Sequence, residues 1–119
     1  MRILAIDDTK TLLNLLCMTL RNAGHEVAEA VNGEEGLQRF EDFRPDLVIT
    51  DLNMPVMDGI EFTRSCRARP SGQNTPIIVL TTENGTDIKA EGRRAGASAW
   101  VVKPFEPATL LSLITRYQN

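Results

Sequence analysis

Four short apolar runs each end on a residue able to handle a metal ion or a phosphate, and no other feature constrains the fold as tightly. Ile3-Leu4-Ala5-Ile6 leads into Asp7-Asp8, Leu47-Val48-Ile49-Thr50 into Asp51, Ile77-Ile78-Val79-Leu80 into Thr81, and Ala99-Trp100-Val101-Val102 into Lys103. Continuous apolar, largely β-branched runs separated by helix-length segments read as strands buried on both faces of a parallel sheet. Glu26-Val27-Ala28-Glu29-Ala30 alternates instead and reads as a half-exposed strand.

The segments between the runs carry helical spacing. Asp8 or Thr9 caps a first helix that packs through Leu13, Leu16, Cys17 and Leu20 and stops at Gly24. Asn32-Gly33 opens a second helix with Gly36, Leu37 and Phe40 on one face, closed by Pro45. The loop from Leu52 to Gly59 feeds a third with Ile60, Thr63 and Cys66 inward, ended by Pro70-Ser71-Gly72. A fourth, with only Ile88, Ala90 and Ala95 to pack and Gly92 inside it, is a low-stability element. Glu106-Pro107 starts the last, which carries Leu110, Leu111, Leu113, Ile114 and Tyr117.

Five strands alternating with five helices predict a doubly wound α/β fold, (βα)5, with right-handed crossovers. The least apolar strand, the second, belongs at an edge. This favours the strand order 2-1-3-4-5 of flavodoxin-like sheets, an order taken over from that fold rather than deduced.

With 119 residues the chain is expected to form one domain, 1–119. A net charge of -3 argues against a general nucleic-acid binder. No run approaches the ~20 apolar residues of a membrane span, and the start lacks a secretory pattern, so a cytoplasmic location is expected. Arg64, Arg67 and Arg69 do not form a single stripe and read as a solvated helix end. Cys17 and Cys66 lack metal-ligand or disulfide spacing and read as core thiols, and His25 has no partner ligands near it.

In sheets of this kind ligands sit beyond the carboxyl ends of the strands, where the strand order reverses, here between strands one and three. Those two strands end in Asp7, Asp8 and Asp51. Three carboxylates so close repel one another unless a cation neutralises them, and Mg2+ suits an all-oxygen site that keeps several waters. Asp8 and Asp51 are the natural direct ligands, with Asp7 through a water and the Asn53 backbone carbonyl completing one side. Lys103 then suits a phosphoryl oxygen, Thr81 donates to a second, and amides near Asn53 and Thr82 take the rest. Asp51 is the candidate nucleophile, forming an acyl phosphate on the protein itself. Asn53 and Glu83 flank the site, placed to position or exclude the water that hydrolyses it.

Asp7-Asp8, the segment Asp51-Leu52-Asn53-Met54-Pro55-Val56-Met57-Asp58-Gly59, Thr81, and Gly96-Ala97-Ser98-Ala99-Trp100-Val101-Val102-Lys103-Pro104-Phe105 together resemble the signature of two-component response-regulator receiver domains. The resemblance covers the whole chain. With nothing after the fifth helix, the sequence is most similar to stand-alone CheY-type chemotaxis regulators, which lack an output domain. The resemblance implies that Asp51 accepts a phosphoryl group from a histidine kinase, CheA-like in such a pathway. It implies magnesium on Asp7, Asp8, Asp51 and the Asn53 carbonyl, and a cis bond between Lys103 and Pro104. It further implies a cytoplasmic monomer that catalyses only its own phosphorylation and dephosphorylation, without membrane or nucleic-acid partners.

Trp100 stands where receivers usually carry Tyr, Phe or His. In the family that ring turns inward as the strand-four hydroxyl, here Thr81, moves to the phosphoryl group. Indole is bulkier and has no hydroxyl, so two positions are open for it, turned inward or at the surface as a partner anchor. Leu111 and Leu113 widen the apolar arc of the last helix. With Trp100 and the weak fourth helix they outline an output face, built from the fourth helix, fifth strand and fifth helix, for a flagellar motor switch protein or another effector. A phosphate sink draining a shared kinase is the alternative. A small Mg2+-dependent phosphohydrolase is a further one, disfavoured because Asp7-Asp8 lacks the alternate-Asp spacing of those enzymes. In a flavodoxin-like carrier the same pair would repel the cofactor phosphate.

Overall fold

All five strands run parallel, in the order β2-β1-β3-β4-β5. The computed structural model describes residues 1–118. The strands are β1 (Arg2–Ile6), β2 (Glu26–Ala30), β3 (Leu47–Thr50), β4 (Ile77–Thr81) and β5 (Ala99–Val102). They alternate with α1 (Lys10–Asn22), α2 (Gly33–Phe43), α3 (Gly59–Arg67), α4 (Thr86–Ala95) and α5 (Pro107–Thr115), and a 3-10 turn at Pro70–Gly72 follows α3. The expected (βα)5 sheet and its order are both present.

Alternation along the central strands divides the core. Ile3, Ala5, Ile49, Ile78 and Leu80 pack under α1 and α5 with Leu13, Leu16, Leu20, Leu110 and Ile114. Leu4, Ile6, Val48 and Ile77 face the other way, against Phe40 of α2 and Phe62 of α3. Val79 joins Leu52, Ile60 and Ala95 in a smaller cluster with Trp100 against it. Phe62, fully buried, is absent from the inward positions expected of α3. That helix packs against both α2 and α4, so its buried arc is wider than one sheet-facing stripe.

Local sequence explains the helix starts. Asn32 Oδ1 accepts from the Glu35 N–H at 2.8 Å, and Asp58 with Glu61 forms a capping box, at 2.8 Å and 3.2 Å. Thr9 occupies the cap position of α1 but makes no side-chain capping bond.

The reading of three arginines as a solvated helix end holds for Arg64, exposed and 3.5 Å from Glu91. Arg69 reaches back to Glu41 at 3.0 Å. Arg67 is half-buried and structural. Its guanidinium donates to the carbonyls of Gly72 at 2.6 Å and Thr75 at 2.7 Å, and to that of Gly96 at 2.8 Å and 3.1 Å. One side chain thus ties the 3-10 turn, the entry to β4 and the end of α4 together. Leu111 and Leu113 are half-buried against the first core cluster. The exposed apolar stripe lies on α1, at Leu12, Leu15 and Met18, with Leu15 50% and Met18 59% exposed.

Candidate functional site

Register brings the strand-end residues together. Ile6 pairs with Thr50 across β1 and β3, so Asp7 and Asp51 leave the sheet side by side, and Thr81 pairs with Val102, so Lys103 follows at the same rim. Backbone bonds carry the ladder one step further: Asp51 N–H donates to Ile6 O at 2.9 Å and Lys103 N–H to Thr81 O at 2.8 Å. Asp51 and Lys103 are therefore held by the sheet's own backbone bonds, one residue beyond the strand ends.

Carboxylate oxygens of Asp7, Asp8 and Asp51 all lie within 4.8 Å of one another. Asp7 and Asp51 are buried, 3% and 8% exposed, and Asp8 faces solvent. Lys103 Nζ bridges the buried pair, 2.7 Å from Asp7 Oδ2 and 3.3 Å from Asp51 Oδ2. Asp7 Oδ1 accepts from the Thr9 N–H at 2.9 Å, and Asp51 Oδ1 from the Leu52 N–H at 2.8 Å. Burial pushes the Asp51 carboxyl above its ordinary value; the Lys103 charge opposes the rise, and Asp7 adds to it. Burial alone would lower the Lys103 ammonium, but its bond to Asp7 and the Asp51 charge outweigh that and hold it above the ordinary lysine value.

Thr81 is fully buried, and its Oγ1 accepts from the Glu83 N–H at 3.3 Å. Asn53 and Thr82 lie exposed in the loops that follow Asp51 and Thr81. Asn53 Nδ2 donates to Glu83 Oε1 at 3.3 Å, bridging those loops. Trp100 is half-buried, and its indole N–H donates to the Glu83 carbonyl at 2.9 Å. Leu111 and Leu113 lie away from this rim, on α5. The Lys103–Pro104 bond is cis.

Two site features escaped the sequence reading. Gly59 has no side chain because a Cβ there would strike the Asp51 carbonyl oxygen, so glycine lets α3 start directly behind Asp51. A groove of about 280 Å³ runs from Asp7, Thr82 and Lys103 between α1 and the segment after β5, lined by Leu12, Leu15, Leu16, Leu80, Pro104 and Phe105. Leu12 and Leu15, off the core stripe of α1, were the available signal.

The arrangement offers an acidic cluster for a hard cation, a buried carboxylate within it, and an ammonium and a hydroxyl at the same rim. Residues 3–115 match the family model described as the response regulator receiver domain. The chain belongs to that family. Receiver domains take their phosphoryl group from histidine kinases. Among solved structures, this receiver is similar to the Vibrio cholerae chemotaxis protein CheY4, at 42% identity and a TM-score of 0.93 over 98% of this chain and 97% of that one. It is also similar to the receiver domain of the Pseudomonas aeruginosa sensor histidine kinase PA1611, solved with magnesium in its active-site cleft, at 29% identity and a TM-score of 0.90 over 98% and 95%. The transcriptional regulatory protein PrrA of Mycobacterium bovis is 38% identical over 95% of this chain and 48% of its own length. The chain thus spans about half the length of the curated relatives it matches.

Proposed function

We propose that this receiver accepts a phosphoryl group on Asp51 from the phosphohistidine of a histidine kinase and thereby switches the α4-β5-α5 surface for a partner, in control of chemotaxis. The observation that carries this reading is Lys103 Nζ seated between Asp7 and Asp51, because it sets a cation beside a buried carboxylate nucleophile. An Asp51 oxygen attacks phosphorus, the P–N bond breaks, and the imidazole nitrogen leaves with the electron pair. Lys103, 3.3 Å from that carboxylate, needs only a small displacement to follow a phosphoryl oxygen. Thr81 exchanges its bond with the Glu83 N–H for one donated to a second oxygen.

The three clustered carboxylates fit Mg2+, since their oxygens already converge and exposed Asp8 leaves room for retained waters. Asp8 and Asp51, Asp7 through a water, and the Asn53 carbonyl would hold it, and it would neutralise charge developing on the phosphoryl group. The apolar groove ending at Lys103 gives the donor a docking surface that opens on the nucleophile. The domain acts as a cytoplasmic monomer and catalyses only its own modification.

Likeness to CheY4 supports a chemotaxis setting, with a CheA-like donor and a motor switch protein as target. The name of PrrA, a transcriptional regulatory protein, favours a second reading in which the same switch serves gene control. Retention on an immobilised motor switch protein, measured with and without beryllofluoride, decides between them: phosphorylation-mimic-dependent retention supports chemotaxis, and none removes it. A phosphate-sink role predicts rapid phosphoryl transfer and hydrolysis with no retained effector.

A further inference from the structure

Three hydrogen bonds meet on Glu83. Its N–H donates to Thr81 Oγ1, its carboxylate accepts from Asn53 Nδ2, and its carbonyl accepts from Trp100 Nε1, at 3.3, 3.3 and 2.9 Å. Residues 82–85, the β4–α4 loop, are exposed, so core packing does little to fix it. The shortest of the three bonds comes from the side chain with the firmest seat. Trp100 packs on the cluster of Leu52, Ile60, Val79 and Ala95, and α4 lies against its six-membered ring. A Cβ at Gly92 would stand 2.7 Å from Trp100 Cζ3 and 3.2 Å from Cε3. Glycine weakens a helix interior, and here the indole gives the physical reason for it.

We infer that Trp100 is a positioning residue for hydrolysis of the acyl phosphate. By holding the Glu83 carbonyl it keeps the Asn53–Glu83 bridge across the gap between the β3–α3 and β4–α4 loops, and the bridge limits the approach of water to a phosphoryl group on Asp51. Gly92 provides the space the ring occupies. The inference rests on Asp51 being the phosphoacceptor. In the step concerned, water oxygen attacks phosphorus, the bond between phosphorus and the Asp51 oxygen breaks, and the carboxylate is regenerated as inorganic phosphate leaves with the protons of the water.

The test begins by labelling the native chain with acetyl phosphate and Mg2+. Label on the native chain and none on Asp51→Asn secures the phosphoacceptor; failure there overturns the functional reading itself. Decay of the label is then followed in the native chain, Trp100→Phe, Gly92→Ala, Glu83→Ala, and the double variant Trp100→Phe with Glu83→Ala. Trp100→Phe keeps a ring and loses the N–H, and is expected to speed decay about threefold to tenfold, the range that corresponds to one hydrogen bond. Gly92→Ala, which displaces the ring, acts in the same direction. In the Glu83→Ala background Trp100→Phe adds nothing, because the carboxylate it positions is gone. A general structural defect would instead speed decay in both backgrounds alike. Native decay in Trp100→Phe, or multiplied effects in the double variant, overturns the inference. Should Gly92→Ala fail to fold, the two Trp100→Phe comparisons carry the test.

Discussion

Lys103 Nζ and Asp7 Oδ2 form a hydrogen-bonded ion pair 2.7 Å long between residues 96 positions apart, joining β1 to the end of β5. Both side chains are largely buried, so neither charge has water to fall back on. Lys103→Ala would leave Asp7 and Asp51 as buried carboxylates without their cation. A loss of about 3–5 kcal/mol of stability at neutral pH is expected from urea denaturation without metal.

Asp51→Asn should act in the opposite direction. The folded state raises the Asp51 carboxyl above its ordinary value of 3.8, so the fold favours the protonated form. That contribution is fully present below the unfolded value and is lost as pH rises through the folded one. Asp51→Asn is therefore expected to change stability little at acidic pH, below the ordinary carboxylate value, and to stabilise at neutral pH without metal. Denaturation curves across that window check the sign, and a stabilisation that shrinks with rising pH would contradict it.

Magnesium should raise the melting temperature of the native chain, since a ligand that binds only the folded state stabilises it by mass action. The gain should fall in Asp8→Asn and Asp51→Asn, and chelation should reverse it. Thermal melts with and without millimolar Mg2+ provide the check.

Arg67→Ala should cost about 2–4 kcal/mol, because it strips donors from the carbonyls of Gly72, Thr75 and Gly96. Lysine at the same position should recover only part of this, since an ammonium lacks the planar fork that reaches three carbonyls. Chemical denaturation of both variants tests it.

Much of the site was legible in sequence because each chemistry-bearing residue ends an apolar run, and a run with its terminus is a one-dimensional pattern. Sheet order then placed Asp7, Asp8, Asp51, Thr81 and Lys103 at one rim without side-chain detail. What stayed hidden depends on elements distant in the chain. Nothing local marks Arg67 as structural, since the carbonyls it holds belong to a turn, a strand entry and the end of another helix. The groove beside the site needs Pro104 and Phe105 folded back toward α1. Trp100 had two open positions because its seat depends on Gly92, on the helix before its strand, having no side chain. Phe62 was missed because α3 has helices on both sides.

The proposed switch depends on Asp51 receiving the phosphoryl group. Incubation with phosphorylated histidine kinases, followed by quantitation of label on the intact chain, tests it most directly. Transfer of one phosphoryl group per native chain from a cognate kinase is expected, and none to Asp51→Asn. Equal labelling of Asp51→Asn, or repeated turnover of a small phosphate ester with no label retained, would contradict it.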